Sequence, residues 1–163
     1  MKPFTSLFIA TAVLLGTTAA VYRSTQDIAI AQNISMAPDP SMERILQTLK
    51  QYNFKVSFSR PPNAKAYGSM QPSTKRIWIH PITYQLGIAK QTLIHEAMHA
   101  AQSCQSPGTE VEPIGIKYPI SPLARRHFLR YHNFRRHVEA EALTVQGLPE
   151  GADYVIELLH QHC

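Results

Sequence analysis

The chain has 163 residues, of which 44% are hydrophobic and 17% charged, and its formal net charge is +5. This length suits one domain, and the apolar content excludes wholesale disorder, which requires low hydrophobicity together with high net charge. Seven glycines and twelve prolines exclude a collagen-like protein, and the absence of a long internal repeat excludes a solenoid. There are eight histidines, and because histidine is the commonest metal ligand, their positions guide the search for a site.

The first 31 residues have the pattern of a secretory signal peptide. Lys2 precedes an uncharged, largely apolar run over residues 4–21, and small residues follow it. Cleavage fits the small-x-small rule after Ala20 or, preferably, after Ala31. A retained membrane anchor is the alternative, because the uncharged run is at the lower end of a membrane span. In either case we expect residues 32–163 to form a single domain outside the cytoplasm.

The first part of this domain predicts one helix and three short strands. Residues 38–41 are expected to start a helix with Ser41 as its N-cap, because apolar residues then recur at helical spacing. Residues 54–58, 66–70 and 76–80 are short segments typical of strands. The connections between them are short, so we expect a small antiparallel three-stranded meander.

The second part predicts three helices. Residues 89–104 contain neither proline nor glycine and predict a helix that is apolar around much of its circumference. Residues 105–121 predict a long loop, and a further helix is expected from Pro122, capped by Ser121, to Gln146. Residues 152–162 predict a last helix. This order of elements indicates an α+β fold with helices and strands segregated along the chain.

The sequence has two cysteines, Cys104 and Cys163, and both lie in the part predicted to be exported. An even number of cysteines in an oxidising compartment favours a disulfide, which here would join the end of the 89–104 helix to the last residue of the chain. Two free buried thiols are the alternative.

The 89–104 helix contains the motif His95-Glu96-x-x-His99. A spacing of four residues places both imidazoles on one helix face, where they can chelate one Zn²⁺. Glu96 then points toward the open position of the metal, where it can take a proton from water and later deliver it to a leaving amine. Two surface histidines beside an ion-paired glutamate would need an exposed face, and the apolar residues of this helix leave little of one.

A catalytic zinc site needs a third protein ligand. The extended motif, which has a third histidine six residues after the second, is excluded because residue 105 is glutamine. The candidates downstream of the motif are His127, His132, His137, Glu139, Glu141, His160 and His162. Over roughly residues 64–146 the sequence resembles the gluzincin class of metallopeptidases, in particular its minimal single-sheet members, the minigluzincins. In that class the third ligand is the glutamate of Glu-x-x-Ala/Ser-Asp. Glu139-x-x-Ala142 matches the first part of that motif, which implies Glu139 as the ligand and Ala142 as a close helix–helix contact. Leu143 stands where the class has Asp or Asn to hold a zinc histidine.

Helical periodicity supplies a second candidate for the third ligand. Glu141 lies nearer than Glu139 to the centre of the apolar stripe of its helix, and a buried glutamate is costly unless it meets a charge or a metal. Glu141 is therefore an alternative to Glu139. If Glu139 is the ligand, we expect Glu141 to accept a hydrogen bond from a histidine N–H.

The predicted strands add a substrate-binding element, because an edge strand beside the motif helix can pair with an extended peptide. Either residues 66–70 or residues 76–80 could form this edge. His80 is interpreted as a strand-end residue and not as a ligand, since the motif needs only one more group.

The arginine-rich segment 125–137 is interpreted as a solvated helix face, because its aromatic residues recur every three positions as a core stripe. A nucleic-acid partner is therefore not expected. Candidates for stabilising the oxyanion of a tetrahedral intermediate lie near the third-ligand helix; they are Tyr118, His127, Tyr131, His132 and His137.

These patterns together predict an exported zinc metallopeptidase that holds one zinc ion per chain and acts on a peptide or protein substrate. Contact with a membrane is expected only if the N-terminal segment is retained as an anchor. The main alternative is a zinc-stabilised binding module without catalysis, at the cell surface or in the periplasm, which the small size favours. A basic secreted adhesion protein without metal is a third hypothesis.

Overall fold

The computed structural model describes residues 39–105, 110–127 and 133–163, and the predicted signal segment 1–31 lies outside them. The elements are α1 (Pro40–Gln51), β1 (Lys55–Ser57), β2 (Gly68–Gln71), a 3₁₀ turn (Pro72–Thr74), β3 (Arg76–Ile79), α2 (Ile82–Gln85), α3 (Ala89–Gln105), α4 (Pro122–His127), α5 (Asn133–Val145) and α6 (Gly151–His162). The fold is of the predicted α+β class. Within the described ranges, none of the helices combines the length and apolar character of a membrane span.

Helix α1 is capped by Asp39 and not, as predicted, by Ser41. The Asp39 carboxylate accepts hydrogen bonds from the hydroxyl of Ser41, at 2.5 Å, and from its backbone N–H, at 2.8 Å. The Lys90 ammonium lies 3.1 Å away, and these interactions together lower the pKa of Asp39 to about 2. The predicted N-cap lies two residues too late, because Pro40 is itself a good first helical residue and the cap falls on the residue before it.

The sheet is mixed, so the prediction of an antiparallel meander is wrong. The strand order is β1-β3-β2. Strand β1 runs parallel to β3, with Val56 opposite Ile77, and β2 runs antiparallel to β3, with Met70 opposite Ile77. The tight 3₁₀ turn between β2 and β3 makes that pair a hairpin, whereas the stretch between β1 and β2 contains no hairpin turn. Ile77 and Ile79 are fully buried, which favours the central position for β3.

Helix α3 occupies the centre of the domain and contacts α1, α5, α6 and the sheet. Ala97, Ala100 and Ala101 are fully buried on it, and such small side chains allow neighbouring helices to approach closely. Gly151, at the start of α6, lies against the end of α5, because a side chain there would overlap the carbonyl oxygen of Val145. The motif helix is therefore held by packing on most of its surface.

Cys104 and Cys163 form a disulfide, with 5.0 Å between their Cα atoms. The bond joins the last turn of α3 to the residue that follows α6, across a sequence separation of 59. The two cysteines are thus paired as the sequence predicted. The link holds the C-terminal helix beside the motif helix.

Replacing both cysteines with serine should lower the free energy of unfolding by about 2–4 kcal/mol, because the unfolded chain regains the freedom that the closed loop removes. Urea titrations of wild type and of Cys104→Ser/Cys163→Ser measure this loss. Reductant should destabilise the wild type by a similar amount and leave the double variant unchanged. Two titratable thiols in unfolded, unreduced wild type would contradict the prediction.

Candidate metal centre

Helix α3 brings the two motif histidines together on one face, because residues four apart lie one turn above each other. The Nε2 atoms of His95 and His99 are 3.1 Å apart, and their rings meet edge to face with centroids 4.7 Å apart. Both rings therefore direct the same nitrogen toward one point beside the helix.

Helix α5 adds Glu139 at that point. Its Oε2 lies 3.4 Å from Nε2 of His95 and 3.7 Å from Nε2 of His99, and the three side chains are only 12–16% exposed. They form a group that could hold a metal ion. In tetrahedral zinc sites with ligand bonds of about 2.0–2.1 Å, neighbouring donor atoms are about 3.3 Å apart. The spacing and the chemistry of the His–His–Glu set therefore fit a zinc ion.

The tautomer of His99 is fixed by Gln102, one turn further along α3. Nε2 of Gln102 donates to the carbonyl oxygen of Val138, at 3.1 Å, and to the carboxylate of Glu141, at 2.8 Å. The amide oxygen of Gln102 is therefore the atom that lies 2.8 Å from Nδ1 of His99. Nδ1 must carry the proton in this contact, and Nε2 is left with the lone pair that a metal requires.

His95 contacts a second glutamine. Its Nδ1 lies 2.9 Å from Oε1 of Gln146, and an N–H at Nδ1 that donates to this oxygen leaves the lone pair on Nε2. The side chain of Leu143 cannot form a hydrogen bond, and the partner of His95 is Gln146, one turn further along. Sequence reasoning missed Gln102 and Gln146, although their spacing from His99 and Glu139, three and seven residues, placed them on the same helix faces.

Glu141 does not join the histidines. It is 4% exposed, and its carboxylate accepts from Gln102 and from the backbone N–H groups of residues 114–116. Residues two positions apart on a helix lie about 200° apart around its axis, so Glu139 and Glu141 face different neighbours. The predicted burial of Glu141 is confirmed, but the expected contact with a histidine N–H is wrong, because Gln102 lies between them.

The charges of the group modify one another. Burial opposes ionisation of Glu139, but the neighbouring His95 and His99 outweigh burial and hold the pKa of Glu139 below its usual range. Desolvation opposes protonation of His99, yet Glu139, Glu96 and Gln102 together raise its pKa. The pKa of Glu96 is raised by burial, which the nearby histidines only partly offset. The site therefore favours a positive charge between the Nε2 atoms and Glu139.

A cleft of about 430 Å³ opens beside this group. Strand β2 forms one wall with residues 68–70, and Glu110, Val111 and Arg135 contribute to the lining. Among the described residues, β2 pairs only with β3 and is an edge strand. Of the two predicted edges, residues 66–70 overlap this strand. Residues 76–80 do not form an edge, because β3 is hydrogen-bonded on both sides.

Glu96 lies against this wall and is 5% exposed. A Cβ atom on Gly68 would lie 2.5 Å from Oε1 of Glu96 and 2.8 Å from Cγ2 of Thr92. Only glycine at position 68 lets the strand pass this close to the carboxylate. Sequence reasoning did not identify Gly68, because no local pattern shows which helix a strand approaches.

The other candidate ligands and oxyanion-stabilising residues lie away from the metal group or outside the described residues. The Nδ1 of His80 accepts a hydrogen bond from the N–H of Ile82, as expected of a strand-end residue, and His160 contacts the hydroxyl of Tyr52. Tyr118 packs on Tyr154. Tyr118 belongs neither to the metal group nor to the cleft lining. The same holds for the two remaining described histidines, His137 and His162. Tyr131, His132 and the side chain of His127 lie outside the described residues.

No protein-family model, no curated protein and no solved structure matches this chain.

Gly68→Ala should displace Glu96 or strand β2 and lower the free energy of unfolding by about 1–3 kcal/mol, the usual cost of overpacking a buried contact. Gly147→Ala is the matched control, because a Cβ there meets only ordinary contacts at 3.5 Å and beyond. Chemical denaturation of both variants measures the difference. Equal stability of Gly68→Ala and wild type would contradict the close approach.

Proposed function

We propose that this protein is an exported zinc metallopeptidase of the gluzincin type. The observation that carries the proposal is the triangle formed by Nε2 of His95, Nε2 of His99 and Oε2 of Glu139, with edges of 3.1, 3.4 and 3.7 Å. With both Nδ1 atoms donating to glutamine oxygens, the Nε2 lone pairs would be available to a metal, and the three residues line an open cleft. The resemblance of the motif sequences to gluzincins and the Cys104–Cys163 disulfide, a bond typical of oxidising compartments, support the same proposal.

In this proposal His95, His99 and Glu139 hold one zinc ion per chain. When bound, the ion polarises a substrate carbonyl and makes water more acidic. Glu96 is the general base, since it lies in the same cleft and on the same helix as the two histidines. Its raised pKa brings the carboxylate nearer the range in which it can both accept a proton from the attacking water and return it to the leaving amine.

The substrate is an extended peptide laid along strand β2. The backbone of an edge strand offers unpaired N–H and C=O groups, which a peptide can engage by strand addition. Strand β2 and the histidines line the same cleft, so a peptide paired with residues 68–70 would lie beside the metal group. Arg135, exposed in the cleft one turn before Glu139, is suited to interact with an acidic group of the substrate.

Glu139→Ala should abolish stoichiometric zinc binding, because two imidazoles alone give a site that lacks its carboxylate ligand. Glu110→Ala is the matched control: it removes another carboxylate of the cleft that is not part of the metal group. Elemental analysis after dialysis should find one zinc per chain in wild type and in Glu110→Ala, and much less in Glu139→Ala. A wild type without zinc would refute the proposed site and favour the metal-free adhesion protein.

Glu96→Gln should keep zinc and lower peptide hydrolysis by about 10²–10⁴-fold, because it removes the proton acceptor while preserving the shape of the side chain. Hydrolysis of a fluorogenic peptide library and zinc content are measured on the same samples. Glu157→Gln, a change at an exposed glutamate, is the control and should behave as wild type. A zinc-loaded wild type that cleaves no peptide would instead favour the zinc-stabilised binding module.

A further inference from the structure

A buried carboxylate that the proposed reaction does not use lies behind the histidine pair. The two oxygen atoms of Glu141 accept four hydrogen bonds. Three come from consecutive backbone N–H groups, those of Ile114, Gly115 and Ile116, at 2.9, 2.6 and 3.3 Å. The fourth comes from the side-chain amide of Gln102, at 2.8 Å. A buried charge is tolerated only where it is satisfied in this way, and these donors are drawn from two separate parts of the chain.

The backbone donors belong to the loop over residues 110–121. Gly115 has a φ of 80°, a conformation that glycine adopts readily. Such a turn can direct successive N–H groups toward one anion. The same loop contributes Glu110 and Val111 to the lining of the cleft. Glu141 thus anchors the chain immediately after the segment that lines the cleft.

The side-chain donor leads to the metal group. Gln102 offers its oxygen to Nδ1 of His99 because its nitrogen is bound by Glu141 and by the carbonyl of Val138. An amide in place of Glu141 could direct its NH₂ group at the NH₂ group of Gln102. Rotation of Gln102 by half a turn would then present a donor to His99. His99 would then have to adopt the other tautomer, with its proton on Nε2, the atom that faces Glu139.

We infer that Glu141 is a positioning residue that fixes the tautomer of His99 through Gln102 and, with the same carboxylate, anchors the loop beside the cleft. The consequence for zinc binding rests on the proposed function, whereas the hydrogen bonds themselves do not. Removing Glu141 should disturb both the loop and the ring. Removing only the link, Gln102, should disturb the ring and leave the three backbone bonds in place.

The test is ¹⁵N NMR of the zinc-free protein. The ring nitrogens of His99 are recorded at alkaline pH to observe its neutral tautomer, and amide exchange is recorded at neutral pH. The variants are Glu141→Gln and Gln102→Met, and the control is Glu112→Gln, which removes an exposed carboxylate from the same loop. We expect wild type and control to carry the His99 proton on Nδ1 and to exchange the amides of residues 114–116 slowly. Gln102→Met should change only the ring, and Glu141→Gln should also speed exchange of these amides about tenfold or more.

Zinc affinity, measured by competition with a chelator, supplies the functional readout. Both variants should bind zinc about 10–100-fold more weakly than wild type and control, as when an outer partner of a ligating histidine is removed. If Glu141→Gln does not fold, Gln102→Met still tests the link to His99. An Nε2-protonated His99 in wild type, or unchanged ring signals and affinity in Gln102→Met, would overturn the inference. A wild type that shows the expected NMR pattern but binds no zinc would refute the proposed function and leave the role of Glu141 intact.

Discussion

The Nε2 atoms of His95 and His99 lie 3.1 Å apart, and the surrounding residues hold them there. Both Nδ1 atoms are committed to glutamine oxygens, so neither ring can relieve the repulsion by turning its protonated nitrogen inward. Glu139 adds a negative charge at the same point. Three electron-rich atoms at this spacing are stable together only with a proton or a cation among them, and their geometry matches the donor spacing of tetrahedral zinc.

The position of helix α3 makes this arrangement rigid. Its buried alanines pack against neighbouring helices, and its last turn is bonded to the C-terminus through Cys104. The side chain of Gln102 donates hydrogen bonds to the carbonyl oxygen of Val138 and to the carboxylate of Glu141, both on α5. The two helices that supply the metal group are therefore joined by a buried hydrogen-bond network as well as by packing. A small domain of this kind can hold a preorganised site because its central helix is restrained along its length.

The cleft depends on contacts between segments that are distant in the sequence. Gly68 on the edge strand allows β2 to pass against Glu96, while the loop over residues 110–121 contributes to the lining of the cleft and is anchored by Glu141 on α5. Three elements that are distant in the sequence therefore line one cleft. They are the helix with the proposed base, the proposed substrate-binding strand and the loop over residues 110–121. We expect substitutions at Gly68 or Glu141 to disturb the cleft, because Gly68 lies directly against Glu96 and Glu141 binds the lining loop.

The α+β class, the motif helix and its two histidines are predictable from the sequence alone, because these follow from hydrophobic periodicity and from spacing within one helix. The sequence also predicted the pairing of the two cysteines and the burial of Glu141. The parallel pairing of β1 with β3 could not be predicted, because the connection from β1 to β2 is not a hairpin turn and the pairing joins strands that are not consecutive. Likewise, Glu139 and Glu141 are both compatible with the helical pattern of α5. The rotation of α5 against α3 places Glu139 beside the histidines and leaves Glu141 to the loop and Gln102, and such a rotation is set by packing between helices, which no local pattern in the sequence encodes.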